Sequence, residues 1–150
     1  MDPTANDVPD EKLMSRELPT VAPGRAALVK QKLEDIAEAR KHWDKDFKRM
    51  RRNMQFANGK QWADWYGKNL VNGNVLMIGG PAGAKSSENF FNGFKEGVAA
   101  YPGLKLLEDN YVVTNWSPVD AQKAVAGLMA KYPQIDGIAS DYGVTSNAAV

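Results

Sequence analysis

The chain has 150 residues, enough for one ordinary domain, and its net charge of +1 gives no global case for a nucleic-acid partner. It contains no cysteine, which excludes a disulfide framework and a thiolate metal site, and its one histidine, His42, cannot by itself build a metal cluster or a conventional catalytic triad. No apolar run approaches the roughly 20 residues that a membrane span requires, so we predict no membrane insertion. With no cysteine and one histidine, we also predict no metal, and we predict no cofactor.

The first 24 residues are rich in Pro, Asp and Thr and lack hydrophobic periodicity, which predicts a disordered arm. The opening stretch is acidic and polar and has no apolar core, so it does not resemble a secretory signal peptide. For the chain as it stands, this observation predicts a cytoplasmic location.

Residues 25–60 form a second segment, in which hydrophobic side chains recur at steps of three, four and seven. The pattern predicts one long amphipathic helix, whose apolar stripe needs a partner surface. The stripe consists of Leu33, Ile36, Trp43, Phe47, Met50 and Met54. Asn58-Gly59 predicts the end of the helix, because glycine adopts the left-handed conformation of a C-terminal cap. The cationic run Lys48–Arg52 is open to two interpretations, phosphate contacts or, more commonly, a solvated helix face.

The hydrophobic pattern changes in residues 61–150. A short helical stretch over residues 61–70 precedes three apolar runs that predict strands at Asn74–Gly79, within Leu106–Thr114 and at Asp136–Ser140. Two amphipathic helices separate them, one over Ser87–Ala100 and one that Ser117-Pro118 opens with a serine cap and a proline at the first helical position. The predicted fold is α/β, a three-layer βαβαβ parallel sheet preceded by a long N-terminal α-helix.

Ligands of parallel sheets bind at the carboxyl ends of the strands. In this chain those ends are Gly79–Glu88, Asn115–Trp116 and Asp141–Gly143. We therefore expect any binding site to be built from these three segments.

Several motifs of residues 62–150 occur in a characteristic order and spacing. They are Gly80, Gly83, Asn92-Gly93-Phe94, Trp116, Ala121-Gln122-Lys123-Ala124 and Tyr132-Pro133-Gln134-Ile135-Asp136-Gly137. This run resembles the ribose-binding-like, type I periplasmic sugar-binding proteins of ABC transporters. The resemblance implies part of one lobe of a two-lobed binding protein, with no enzymatic activity.

The resemblance also implies a site and partners. By position, Glu88, Asn89, Asn115, Trp116, Asp141 and Tyr142 would contact a small-molecule sugar, with Trp116 stacking on its face. Glu88 stands where ribose-type members carry Arg, which argues against ribose. A permease would be the partner of the complete protein, and the family implies a periplasmic location. The part of the lobe present implies weak binding.

Each site residue also has a purely structural interpretation. Trp116 suits a half-buried aromatic at a strand end, and Asp141 suits a cap of the following helix. Glu88 and Asn89 lie in a first helical turn, where acidic residues are favoured by the helix dipole.

The N-terminal third has a different resemblance. Residues 36–43, 46–51 and 56–62 are similar to the opening helix of tailed-phage portal proteins, which implies a fusion or an artificial join near residues 56–65. The alternative function is therefore a portal-like structural or assembly protein that acts through its N-terminal helix. A dehydrogenase-like enzyme is disfavoured, because the chain has no G-x-G-x-x-G motif.

Overall fold

A computed structural model of the chain describes residues 23–148. The chain divides into two compact units, Met1–Asp44 and Lys45–Val150. The described part of the first unit is helical throughout, and its residues 24–44 are exposed. The arm predicted over residues 1–24 lies almost entirely outside the described residues.

The first helix, α1 (Pro23–Asn69), is longer than predicted, since it passes through Asn58-Gly59 without a break. The prediction of a helix end there is wrong because Gly59 has a long-range role. A Cβ at Gly59 would lie 2.0 Å from the carbonyl oxygen of Phe90, so glycine permits close backbone contact with another helix. The helix instead ends at Asn69, whose side-chain amide donates to the carbonyl of Trp65 at 2.7 Å.

The predicted apolar stripe of α1 is solvent-accessible. All six of its side chains are more than two-fifths exposed, from 42% at Phe47 to 68% at Trp43. Within residues 23–148, each side chain of the stripe therefore keeps a large part of its surface accessible.

The sheet is built around β1 (Gly73–Gly79), whose apolar run is buried almost throughout. Three strands pair with it in parallel, β2 (Leu104–Leu106), β3 (Val112–Val113) and β4 (Gly137–Ser140). Odd-numbered residues of β1 bond toward β2 and β3, as in Leu107 N to Val75 O at 2.9 Å, and even-numbered residues toward β4. β2 and β3 therefore form one edge of β1, and β4 forms the other.

The second predicted strand, within Leu106–Thr114, is wrong in its extent. The structure divides it into β2, which begins earlier at Leu104, and the two-residue β3. The polar run of residues 108–110 lies between them, and the Asn110 side chain accepts a hydrogen bond from the Tyr111 amide. This local turn chemistry competes with the strand ladder.

Three helices complete the unit, α2 (Lys85–Ala99), α3 (Pro118–Lys131) and α4 (Gly143–Ala148). The predicted cap of α3 is confirmed, because the Ser117 hydroxyl accepts from the Asp120 amide at 3.3 Å. Ala121, Val125 and Leu128 form the buried face of α3, whereas Met129 is 67% exposed.

The βαβαβ order and the three layers are confirmed. Val75 and Met77 of β1 face a core shared with α1 and α2, while Leu76 and Ile78 face a core shared with α3. This alternation follows from the two-residue period of a strand. A glycine-lined crossing brings α1 against α2, where a Cβ at Gly93 would lie 1.9 Å from the carbonyl oxygen of Phe56.

Candidate ligand-binding site at the carboxyl ends of the strands

The carboxyl ends of three strands meet at one edge of the sheet. Gly79 of β1 is in register with Val113 of β3, and Ile78 is in register with Ser140 of β4. The segments that follow these strands therefore lie side by side, which is the usual position of ligand sites in parallel sheets.

Asp141 connects the segments that meet at this edge through hydrogen bonds. One carboxylate oxygen accepts the indole N–H of Trp116 at 3.1 Å, and the other accepts the hydroxyl of Ser87. Ser87 is fully buried and in turn accepts the Gly80 amide at 3.0 Å. The three post-strand segments are thus joined by hydrogen bonds through a single carboxylate.

Trp116 lies on a tight turn with an unusual backbone. Asn115 and Trp116 both have φ near 53°, a left-handed conformation that asparagine tolerates but that is rare for a bulky side chain. Such strain costs about 1–3 kcal/mol and tends to occur at functional sites. The turn is held by Thr114, whose hydroxyl donates to the Gly79 carbonyl at 2.7 Å.

The Trp116 ring packs directly on the backbone of Gly80. A Cβ at Gly80 would lie 2.4 Å from the indole, so only glycine leaves room for the ring in this position. The indole remains 38% exposed. One face is therefore supported by protein while part of the ring is available to a ligand.

A cavity of about 360 Å³ opens at this point, and it falls within the range of small-molecule sites. It is lined by Ser86, Phe90, Trp116, Asp141 and Tyr142. Aromatic faces beside a carboxylate and hydroxyl groups suit a ligand with an apolar face and hydrogen-bonding edges. A cavity of about 430 Å³ between α3 and β4 has a mainly apolar lining, which includes Ile135, Asp136 and Gly137 at the amino end of β4.

The structure brings together three of the six predicted site residues, Trp116, Asp141 and Tyr142. Glu88 is placed elsewhere and pairs with Lys85 at 2.7 Å, a hydrogen bond that raises the pKa of the lysine. Asn115 turns toward Asp120, to which its amide donates at 3.2 Å.

Asn89 also lies outside this cavity. Its side-chain amide donates to Gln55 of α1 at 2.9 Å, and it lines a neighbouring cavity.

The structural interpretation of Asp141 as a helix cap is wrong. Among the described residues, both carboxylate oxygens are bonded to side chains of other elements and neither accepts an amide of α4. The Tyr142 carbonyl instead accepts the Thr145 amide at 3.1 Å in the first turn of that helix.

Sequence reasoning missed Ser86, Ser87 and Phe90. A serine in the first turn of a helix that follows a strand is close to the strand end, and this position was an available signal for Ser87. The Phe90 side chain is half-buried; it packs against the core and also lines the cavity. Residues 23–148 hold no cluster of three potential metal-ligating side chains, and no helix among them is long and apolar enough to cross a membrane.

Comparison with known proteins identifies the fold. Residues 53–150 match the family model of the periplasmic binding protein domain. A solute-binding protein of an ABC transporter from Burkholderia graminis C4D1M, in complex with D-arabinose, is 28% identical with a TM-score of 0.58. A periplasmic solute-binding protein from Actinobacillus succinogenes 130z with bound D-allose is 23% identical with a TM-score of 0.57. AraP, an arabinose-binding protein from Geobacillus stearothermophilus, is 20% identical with a TM-score of 0.56.

These three similarities each cover 63% of this chain but only 32%, 34% and 32% of the respective proteins, so the chain spans about a third of their length. No curated protein sequence is significantly similar to the chain. The predicted resemblance to phage portal proteins has no support among these findings, and the periplasmic-binding-protein match begins at residue 53, inside the segment concerned.

Proposed function

The chain belongs to the periplasmic binding protein domain family, and we propose that its α/β unit binds a sugar as part of the solute-binding component of an ABC importer. The observation that carries the proposal is the partly exposed Trp116 indole, held over a cavity by Gly80 and Asp141 at the carboxyl edge of the sheet. The solved relatives with bound D-arabinose and D-allose support the same ligand class.

The chemistry of the cavity fits this ligand. The face of a pyranose that presents C–H groups packs well against a flat aromatic ring, and the hydroxyl groups of the sugar require convergent polar partners. Trp116 offers the ring, while the Asp141 carboxylate and the Ser86 hydroxyl offer polar partners at the same cavity. The role is binding without catalysis, in the periplasm, with a permease as the partner of the complete importer.

Binding by this unit alone is expected to be weak and insensitive to salt. The chain spans about a third of the length of its solved relatives, so it supplies only part of the surface that surrounds their ligands. The ligand is uncharged, and binding therefore releases no counterions.

The test is calorimetric titration with D-arabinose and D-allose at high protein concentration. Trp116→Ala should weaken binding roughly tenfold, because a stacked aromatic contributes about 0.5–1.5 kcal/mol beyond its buried area and 1.4 kcal/mol corresponds to a factor of ten. Trp43→Ala is the matched control, since this tryptophan is exposed and belongs to the other unit. Absence of binding to a panel of pentoses and hexoses, or equal affinities of the two variants, contradicts the proposal.

A second variant tests the position of the ring rather than its presence. Gly80→Ala places a methyl group 2.4 Å from the indole, so the ring must move away from its support. Sugar affinity should fall while Trp116 is retained. Unchanged affinity in Gly80→Ala would show that the ring does not bind ligand from its position against Gly80.

A further inference from the structure

A second cavity, here called the basic groove, lies beside the Trp116 cavity. Its volume is about 490 Å³, and no carboxylate is among its lining residues. Its cationic lining consists of Lys45, Lys48, Arg49, Arg51, Arg52 and Lys85. Ser86 borders both cavities, but the groove does not include the tryptophan, the carboxylate or the tyrosine of the proposed sugar site.

Five of the six cations come from two successive turns of α1. Lys45, Lys48, Arg49 and Arg52 follow the i, i+3, i+4, i+7 spacing that places side chains on one helix face. Like charges at this spacing repel one another and destabilise a helix. The arrangement therefore carries a cost that a bound anion would remove.

Four of these six charges have no ion-pair partner in the described part of the chain, residues 23–148. Arg49 pairs with Asp46 at 3.1 Å and Lys85 pairs with Glu88 at 2.7 Å. The other four cations form no ion pair with any residue between 23 and 148. Four of the six cations of the groove therefore have no ion-pair partner among the residues that the structure describes.

The opposite wall of the groove is the first turn of α2. Ser86 and Asn89 line it, and Asn89 donates to Gln55 of α1 at 2.9 Å, which ties the two walls together. The close contact of Gly59 with the Phe90 carbonyl fixes the separation of the helices one turn further on. The groove is therefore held open by packing that does not depend on a ligand.

The same wall presents hydrogen-bond donors. Ala84 occupies the N-cap position of α2 and offers no side-chain acceptor to the amides of the first turn. The positive end of the helix dipole adds to the field of the lysine and arginine side chains. Guanidinium groups match the oxygens of phosphate and of carboxylate groups with paired hydrogen bonds. A diphosphate carries more negative charge than a single carboxylate or a halide ion, which suits a groove lined by six cations.

We propose that the basic groove binds a small ligand that carries a diphosphate group. The volume of the groove suits a small molecule, and the cations converge on one cavity instead of following the long stripe that a nucleic-acid strand requires. This inference is independent of the sugar site, because the two cavities differ in charge and share only Ser86.

The experiment titrates the chain calorimetrically with inorganic pyrophosphate and, separately, with a nucleoside diphosphate, at low and at physiological ionic strength. We expect saturable one-to-one binding that weakens with salt. Similar affinities for the two probes would show that the diphosphate group alone is sufficient for binding. Tighter binding of the nucleoside diphosphate would show that the groove also recognises the organic part of the ligand. Either result supports the proposal. Failure of both probes to bind saturably at physiological ionic strength overturns it.

Paired variants locate the site. Arg51→Gln with Arg52→Gln removes two groove charges and should weaken pyrophosphate binding roughly tenfold or more. Lys105→Gln with Lys123→Gln is the matched control, since it removes the same charge from exposed positions outside the groove and should leave binding unchanged. Circular dichroism verifies that both proteins fold. Equal loss in the two double variants, or preference for single-stranded DNA with an affinity that grows with strand length, overturns the proposal.

Discussion

Gly93→Ala tests the packing of α1 against α2. The added Cβ would lie 1.9 Å from the carbonyl oxygen of Phe56 and 2.8 Å from its carbon, whereas ordinary contacts begin at 3.4 Å. Both conflicting atoms belong to main chain, so no side chain can rotate to relieve the overlap. The helices must separate by about 1.5 Å, and Phe94, which is fully buried beside the contact, must shift with them.

The expected magnitude is the balance of two effects. Overpacking a well-filled core costs about 1–3 kcal/mol, and a conflict between two backbones lies at the upper end. Alanine gains about 1 kcal/mol over glycine from helix propensity. We therefore expect Gly93→Ala to lower the free energy of unfolding by about 2 kcal/mol.

The assay is urea denaturation followed by far-ultraviolet circular dichroism. Gly127→Ala is the control, because Gly127 lies in α3 where an added Cβ would meet no atom within 4 Å, and it should gain up to about 1 kcal/mol. The two alanine variants are thus expected to differ in sign. If Gly93→Ala is as stable as the parent chain, the close helix crossing is wrong.

Two further predictions concern buried and charged groups. Ser87→Ala should destabilise the fold by about 1–3 kcal/mol in the same urea assay, because it removes the acceptor of the buried Gly80 amide and the hydrogen bond to one oxygen of Asp141, whose other oxygen keeps Trp116. A stability equal to that of the parent chain would contradict the hydrogen-bond network. Hydrogen bonds, from Gln134 and then from the Asn74 amide, lower the pKa of Asp136 below its ordinary value of 3.8. The carboxyl group of Asp136 therefore binds a proton more readily in the unfolded chain than in the folded one. The stability that its ionised form contributes is complete above pH 3.8 and is lost as the pH falls below that value. Asp136→Asn should consequently lose less stability on acidification than the parent chain. Equal acid dependence of the two proteins, measured by thermal unfolding, would contradict the assignment.

The order of elements was predictable because it depends on local patterns. The apolar run of β1, the amphipathic period of α2 and the Ser117 cap are each readable within a few residues. The continuation of α1 through Gly59 was not, since its cause is a backbone contact with Phe90, some thirty residues away.

In the candidate site, too, local patterns were predictable and contacts between distant residues were not. Topology predicted which segments meet at the carboxyl edge, and the cavity contains Trp116 and Tyr142 from that prediction. The partners of Asp141 were not predictable, because Ser87 and Trp116 are 54 and 25 residues away in sequence. Glu88 was placed at the site by position alone, yet an oppositely charged neighbour, Lys85, lies three residues away on the same helix and pairs with it.

The most direct test of the sugar site is the nuclear magnetic resonance signal of the Trp116 indole N–H, assigned by its loss in Trp116→Phe. This proton is bonded to Asp141 at the mouth of the cavity, so it reports on that site and no other. Our account predicts that the signal shifts saturably as D-arabinose or D-allose is added, while the indole signal of Trp43 stays in place. A Trp116 signal that remains fixed at sugar concentrations that saturate the calorimetric titration would contradict the assignment of this cavity as the sugar site.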